Sequence, residues 1–65
     1  MAAILGDDPI ADAVRALPRV QREVIVLRYY LQLTDPEIAE ALQMRVGTVK
    51  STLHRARARL KEAVS

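Results

Sequence analysis

Residues 45–60 read RVGTVKSTLHRARARL, a stretch that interleaves two kinds of side chain. Val46, Val49, Leu53, Ala56 and Leu60, with Ala63 beyond them, recur every three or four residues, the spacing of one face of an α-helix. At about 100° per residue these apolar side chains gather in one sector. The direction opposite is held by Ser51, with Thr48, Thr52 and Arg55 on one side of it and Lys50 and His54 on the other. Arg59 lies a turn beyond Arg55. Arg57 and Lys61 border the apolar stripe, where their stems can cover a core while their charges reach water. A merely solvated helix face usually mixes in Glu or Asp for i, i+4 pairs. Here no acid occurs between Arg45 and Lys61. Cations neutralise phosphates, and Lys, Arg, Ser and Thr can address base edges. The chemistry such a face suits is the binding of a polyanion.

The rest of the chain carries the opposite charge. Residues 1–44 hold four arginines against seven acids, net −3, whereas residues 45–65 hold six cations against Glu62, net +5. The overall +2 therefore hides an asymmetry that places a polyanion partner at the C-terminal end. Sixty-five residues make one domain with a modest core. That core must be aliphatic, because Tyr29 and Tyr30 are the only aromatic residues. The chain has no Cys, so disulfides and thiolate metal sites are excluded, and the single His54 cannot build a zinc site alone. No cofactor is expected. Asp7, Asp8 and Asp12 suit the positive end of a helix better than a metal site. There is no nucleophile–base pair, no paired catalytic carboxylates and no phosphate-cradling Gly loop, so the chain does not read as an enzyme with a small-molecule substrate. No apolar run approaches the roughly 18 residues of a membrane span. The absence of Cys and of targeting signals fits a cytoplasmic protein.

Four helices can be placed to position the basic face. Residues 1–7 read as a flexible N-terminal remnant or linker, and residues 8–65 as the domain. Helix 1 is expected from about Asp8 to Leu17, with Pro9 at its first position and Ile10, Val14 and Leu17 on one face. Pro18 ends it, because the residue before a proline is pushed out of the helical region. Helix 2 is expected over Arg19 to Leu31, with a stripe of Val20, Val24, Leu27 and Leu31. VIVLRYYLQL is also rich in strand formers, but nothing nearby offers a hairpin turn. Apolar on more than one side, helix 2 reads as the central element. Helix 3 starts at Thr34-Asp35-Pro36-Glu37. Either Thr34 and Glu37 form a capping box, or Asp35 caps a helix opened by Pro36. Gln43 to Val46 is a break, and helix 4 runs from there to about Ala63. A short helix, a tight turn and a longer helix describe a helix-turn-helix, whose second helix enters the major groove. Ala39 supplies the small residue needed where the two helices cross.

LPRVQREVIVLRYY (17–30), LTDPEIAEAL (33–42) and VGTVKSTLHRARARL (46–60), in this order, resemble region 4 of bacterial RNA polymerase sigma factors of the sigma-70 family. The likeness is to the extracytoplasmic-function group and covers about residues 10–63. It implies an all-α, compact four-helix domain ending in a helix-turn-helix, of the winged-helix-like superfamily but without a wing. It also implies binding of the promoter −35 element through helix 4, within a factor that directs RNA polymerase to promoters. Helices 1 and 2 and part of helix 4 would hold the flap of the polymerase β subunit, and an anti-sigma factor is a further possible partner. By the same resemblance Gly47 and Thr48 begin the recognition helix near backbone phosphates, Lys50 and Ser51 meet base edges and phosphate, and Arg55 reaches bases or backbone one turn on. Arg59 is a further candidate contact. Arg28 matches a position at the end of helix 2 with either a phosphate or a structural role. Three positions depart from the family pattern. Gln43 stands where Gly is frequent, Arg45 where Ser would cap the recognition helix, and Thr52 where Arg is common. Arg45 could contact phosphate instead of capping. Two other readings stay open: a protein-docking domain with DNA contact secondary, and a response-regulator effector domain with a similar helix-turn-helix.

Overall fold

In a computed structural model the described residues are 9–64, and they form helices without strands. The expectations for residues 1–7 and for a helix start at Asp8 lie outside them. Helix α1 spans Pro9–Arg15. It stops two residues short of the expected end: Ala16 still donates to the Asp12 carbonyl at 3.1 Å, but Leu17 turns tighter, onto Val14 at 3.1 Å. The restriction imposed by Pro18 explains the early stop. Leu17 is nevertheless buried, with Ala13 and Val14, while Ile10 is 59% exposed and so drops out of the expected core face.

Helix α2 spans Arg19–Ile25 and runs on into a π-helical turn, Val26–Tyr30. The segment is helical, as its polar start suggested, but it is not one regular α-helix. The widened turn is closed by the Leu31 N–H, which donates to the Val26 carbonyl at 3.2 Å, five residues back. An extra residue in a turn rotates the downstream side chains relative to those of a straight helix. This breaks the expected stripe: Val24 is fully buried, Leu27 half-buried, but Leu31 is 61% exposed. The core is filled instead by the adjacent Ile25, with Val26 packed against it.

Helix α3, Asp35–Leu42, is opened by Thr34 in a complete capping box. The Glu37 N–H donates to Thr34 Oγ1 at 3.3 Å, and the Thr34 N–H donates to Glu37 Oε1 at 2.8 Å. Asp35 is thus the first helical residue, not the cap. Its carboxylate faces Arg28 Nη1 at 3.6 Å, and the same guanidinium donates to the Leu33 carbonyl at 3.2 Å. Arg28 therefore ties the end of the π turn to the start of α3. The helix ends at Gln43 in the left-handed region, φ 54° and ψ 49°, and the Met44 N–H reaches back to the Ala39 carbonyl at 2.8 Å.

Helix α4, Val46–Val64, packs against all three others. It, and not α2, is the central element. Its Val49, Leu53 and Ala56 meet Val14, Leu17, Val24, Ile25, Ile38 and Ala39 in one cluster. The reason is geometric: nineteen residues span about 28 Å, long enough to underlie three short helices in succession. The three shorter helices cover one side of α4 and leave the other open.

Candidate nucleic-acid interface

The open side of α4 carries the side chains singled out by charge. Gly47, Thr48, Lys50, Ser51, Arg55 and Arg59 are all exposed, as is Arg45 just before the helix. Gly47, Ser51, His54 and Ala58 succeed one another along the outermost line at i, i+4, i+7 and i+11, so the crest of the helix is low over its first turns. Taller side chains stand on its two shoulders: Lys50 on one, Arg55 and Arg59 on the other. The Ser51 hydroxyl donates to the Thr48 carbonyl at 3.1 Å, which leaves its lone pairs outward. A methyl group at Gly47 would meet nothing within 4 Å. The fold therefore does not require glycine there, although glycine in a helix costs roughly 0.5–1 kcal/mol relative to alanine.

One expected member is not on this face. Thr52 is only 4% exposed and is the one buried polar residue among those described. It sits one turn before the fully buried Ala56, at the edge of the apolar sector. The helical projection placed it among exposed residues, but the packed helices cover a wider arc of α4 than the apolar stripe alone. Thr52 is therefore removed from the candidate contacts.

Arg28 is committed to Leu33 and Asp35, which selects its structural role. The start of α4 is as the presence of Arg45 implies. The Val49 N–H donates to the Arg45 carbonyl at 3.0 Å, so Arg45 occupies the capping position with a side chain that has no acceptor to offer. Arg45 is exposed next to the first turn of α4, where the helix dipole adds positive potential. Among the described residues no group of three metal-ligating side chains occurs.

A second feature escaped sequence reasoning. Arg57 Nε donates to the Tyr29 hydroxyl at 2.6 Å, and its guanidinium carbon lies 5.6 Å from the ring centroid. With the guanidinium at the hydroxyl end of the ring, the hydrogen bond is the principal contact. The pair closes one end of an apolar groove lined by Ile10, Ile25, Tyr30 and Leu60. The signal was Arg57 at the border of the stripe, but a contact across 28 residues has no local signature.

The order and geometry of these elements agree with the comparisons to known proteins. Residues 7–60 match the family model described as Sigma-70, region 4. The chain belongs to this family. Over 53 residues, 82% of the chain, it is 55% identical to an RNA polymerase sigma-E factor of Streptomyces antibioticus, of which it covers 29%. A sigma-E factor of Streptomyces coelicolor is 53% identical over the same share of the chain, which covers 30% of that protein. The ECF RNA polymerase sigma factor SigW of Bacillus subtilis is 43% identical, again over 82% of the chain and 28% of the relative. The chain thus spans less than a third of the length of these relatives. No solved structure matches it. Membership in this family sets aside the response-regulator alternative.

Proposed function

We propose that this chain is the promoter-reading domain of an extracytoplasmic-function sigma factor, and that it binds the −35 element with α4 in the major groove. The observation that carries this is the exposed cationic face, without an acid before Glu62, on the second helix of a helix-turn-helix. Major-groove width admits a helix whose outer line is low where it enters, and Gly47 and Ser51 make it so. Lys50, about one turn into α4, and Arg55, more than a turn further on the opposite shoulder, are the base-edge and phosphate readers. Gly47, Thr48 and Ser51 bring the backbone close, and Arg45 and Arg59 add phosphate contacts at either end. Promoter selection of this kind occurs with polymerase in the cytoplasm. Among the described residues no helix is long and apolar enough to cross a membrane.

A specific observation favours a second, compatible role. The groove of Ile10, Ile25, Tyr29, Tyr30 and Leu60, which Arg57 also lines two turns beyond Lys50, exposes apolar surface on a charged domain. We assign it to protein docking, with the β flap of the polymerase core as the partner and an anti-sigma factor as a competitor for the same surface. The test of the main reading is selection from a randomised duplex pool, at low and moderate salt, with wild type and Lys50→Ala. An enriched motif that the variant loses supports sequence reading. Binding without enrichment leaves only phosphate affinity and moves the function to the groove.

A further inference from the structure

The apolar groove gathers chemistry that the DNA-binding face does not use. Ile10, Ile25 and Leu60 supply its aliphatic walls. Both aromatic residues of the chain, Tyr29 and Tyr30, line it, and both are exposed. Arg57 is its one ionised lining residue. Tyr and Arg are the types enriched where protein interfaces gain their affinity. Two donors converge at the Arg57 end. The Tyr29 oxygen accepts the Arg57 Nε–H at 2.6 Å, so its own O–H remains to donate. That contact takes one of the five guanidinium N–H groups. Neither the other four nor the Tyr29 O–H has an acceptor among the described residues. Asp12, Glu23 and Asp35 pair with Arg15, Arg19 and Arg28 instead. Glu62, five residues beyond Arg57, lies about 140° around α4 from it. Donors fixed together at the end of an apolar trough suit a group that only accepts. An ionised carboxylate is such a group, and a guanidinium can hold it through two parallel N–H···O bonds.

Resting on the docking reading of this groove, we infer that its occupant is a segment of another protein that lays apolar side chains along Ile10, Ile25 and Leu60 and places an Asp or Glu on Arg57 and the Tyr29 hydroxyl. Arg57 is then the specificity-determining cation of the docking site, and Tyr29 the residue that aims it. The walls favour a protein segment over a small amphiphile. Ile10 is 59% and Tyr30 68% exposed, so the groove is an open trough, whereas a small-ligand pocket buries most of its ligand. Charge agrees, because residues 45–65 carry net +5 and draw an acidic segment to this end of the molecule. A second copy docked through the same patch would bring a second Arg57 to it.

The experiment selects from a displayed library of short random peptides on the 65-residue chain. The selected peptides should share large apolar residues and an Asp or Glu at fixed spacing. One of them, and its counterpart with that acid changed to the amide, is then titrated against wild type, Arg57→Gln, Tyr29→Phe and Tyr30→Asp, with circular dichroism to check folding. The amide peptide should bind wild type about tenfold more weakly or worse, the usual loss of a hydrogen bond to a charged group. Arg57→Gln should bring the acidic peptide down to the level of the amide peptide and leave the amide peptide unchanged. A purely structural Arg57 would not produce that coupling. Tyr29→Phe should weaken the acidic peptide alone, and Tyr30→Asp should weaken both. If Arg57→Gln does not fold, Tyr29→Phe decides. Selected peptides without a common acid, or variants at Arg57 and Tyr29 that weaken both peptides equally, overturn the inference and leave the groove as a docking site. An empty selection, or binding that survives Tyr30→Asp, removes the docking reading as well. Self-association of the wild type that Tyr30→Asp abolishes would make the occupant a second copy and overturn the inference too.

Discussion

The side chains of α4 and its neighbours divide by what they already hold. Arg28 and Arg57 are spent within the fold, on Leu33 with Asp35 and on Tyr29. Lys50, Arg55 and Arg59 extend into solvent from a face with no acid before Glu62. Charge alone could not make this division in the sequence, because the partners of Arg28 and Arg57 are set by tertiary contact. The expected outcome is that Lys50→Ala and Arg55→Ala each weaken promoter-duplex binding by about 1–3 kcal/mol, as for residues that meet base edges. Arg59→Ala, further along the helix, should cost less and chiefly flatten the salt dependence. Equilibrium titration of the three variants checks the ranking. Thr52 makes the opposite case. Its 4% exposure predicts that Thr52→Ala costs stability, about 1 kcal/mol as for a typical small core change, and leaves duplex affinity unchanged. Urea unfolding and the same titration measure the two effects separately.

At the scale of elements, local chemistry was legible wherever it is short-range. The capping box at Thr34 and Glu37, the stop before Pro18 and the stripe of α4 are all set by spacing. The π turn was not, because Val26–Tyr30 obeys the helical pattern and the slipped hydrogen bond is fixed only by where Val24, Ile25 and Arg28 must pack. The central position of α4 was also missed, since its apolar stripe looked no wider than that of α2. Two substitutions probe the elements that aim the recognition helix. Gln43 adopts a left-handed backbone at φ 54°, where a side chain is disfavoured and glycine is not. Gln43→Gly should therefore stabilise the domain by up to about 1 kcal/mol despite a freer unfolded chain, and thermal unfolding reads the sign. Gly47→Ala splits fold from function. Its Cβ meets open space, so stability should rise by roughly 0.5–1 kcal/mol. Duplex affinity should fall, if the glycine is there to let the backbone approach phosphate. A variant that is both more stable and as tight in binding would remove Gly47 from the interface.

The whole molecule is a small aliphatic core serving two outward faces, and that sets how far it can be perturbed. The core has one cluster, with Val24, Ile38, Val49 and Ala56 fully buried and Leu53 2% exposed. At roughly 0.05–0.15 kcal/mol per residue, 65 residues hold about 3–10 kcal/mol of stability. A buried Leu→Ala change costs about 2–5 kcal/mol. Leu53 lies where α4 meets the other helices, so its truncation leaves a void that several elements would have to move to fill. Leu53→Ala should thus consume a fifth or more of the total, lower the unfolding midpoint, and lose DNA binding together with helicity. Lys50→Ala, three residues earlier but exposed, should lose DNA binding with helicity intact. Far-UV circular dichroism during urea titration separates the two. The same contrast tests the partition of α4 into a buried side that holds three helices and an exposed side that the fold does not need. If Leu53→Ala kept both its helicity and its unfolding midpoint, the cluster would not be the source of stability, and the orientation of the basic face would have to rest on the capping box and the Arg28 brace alone.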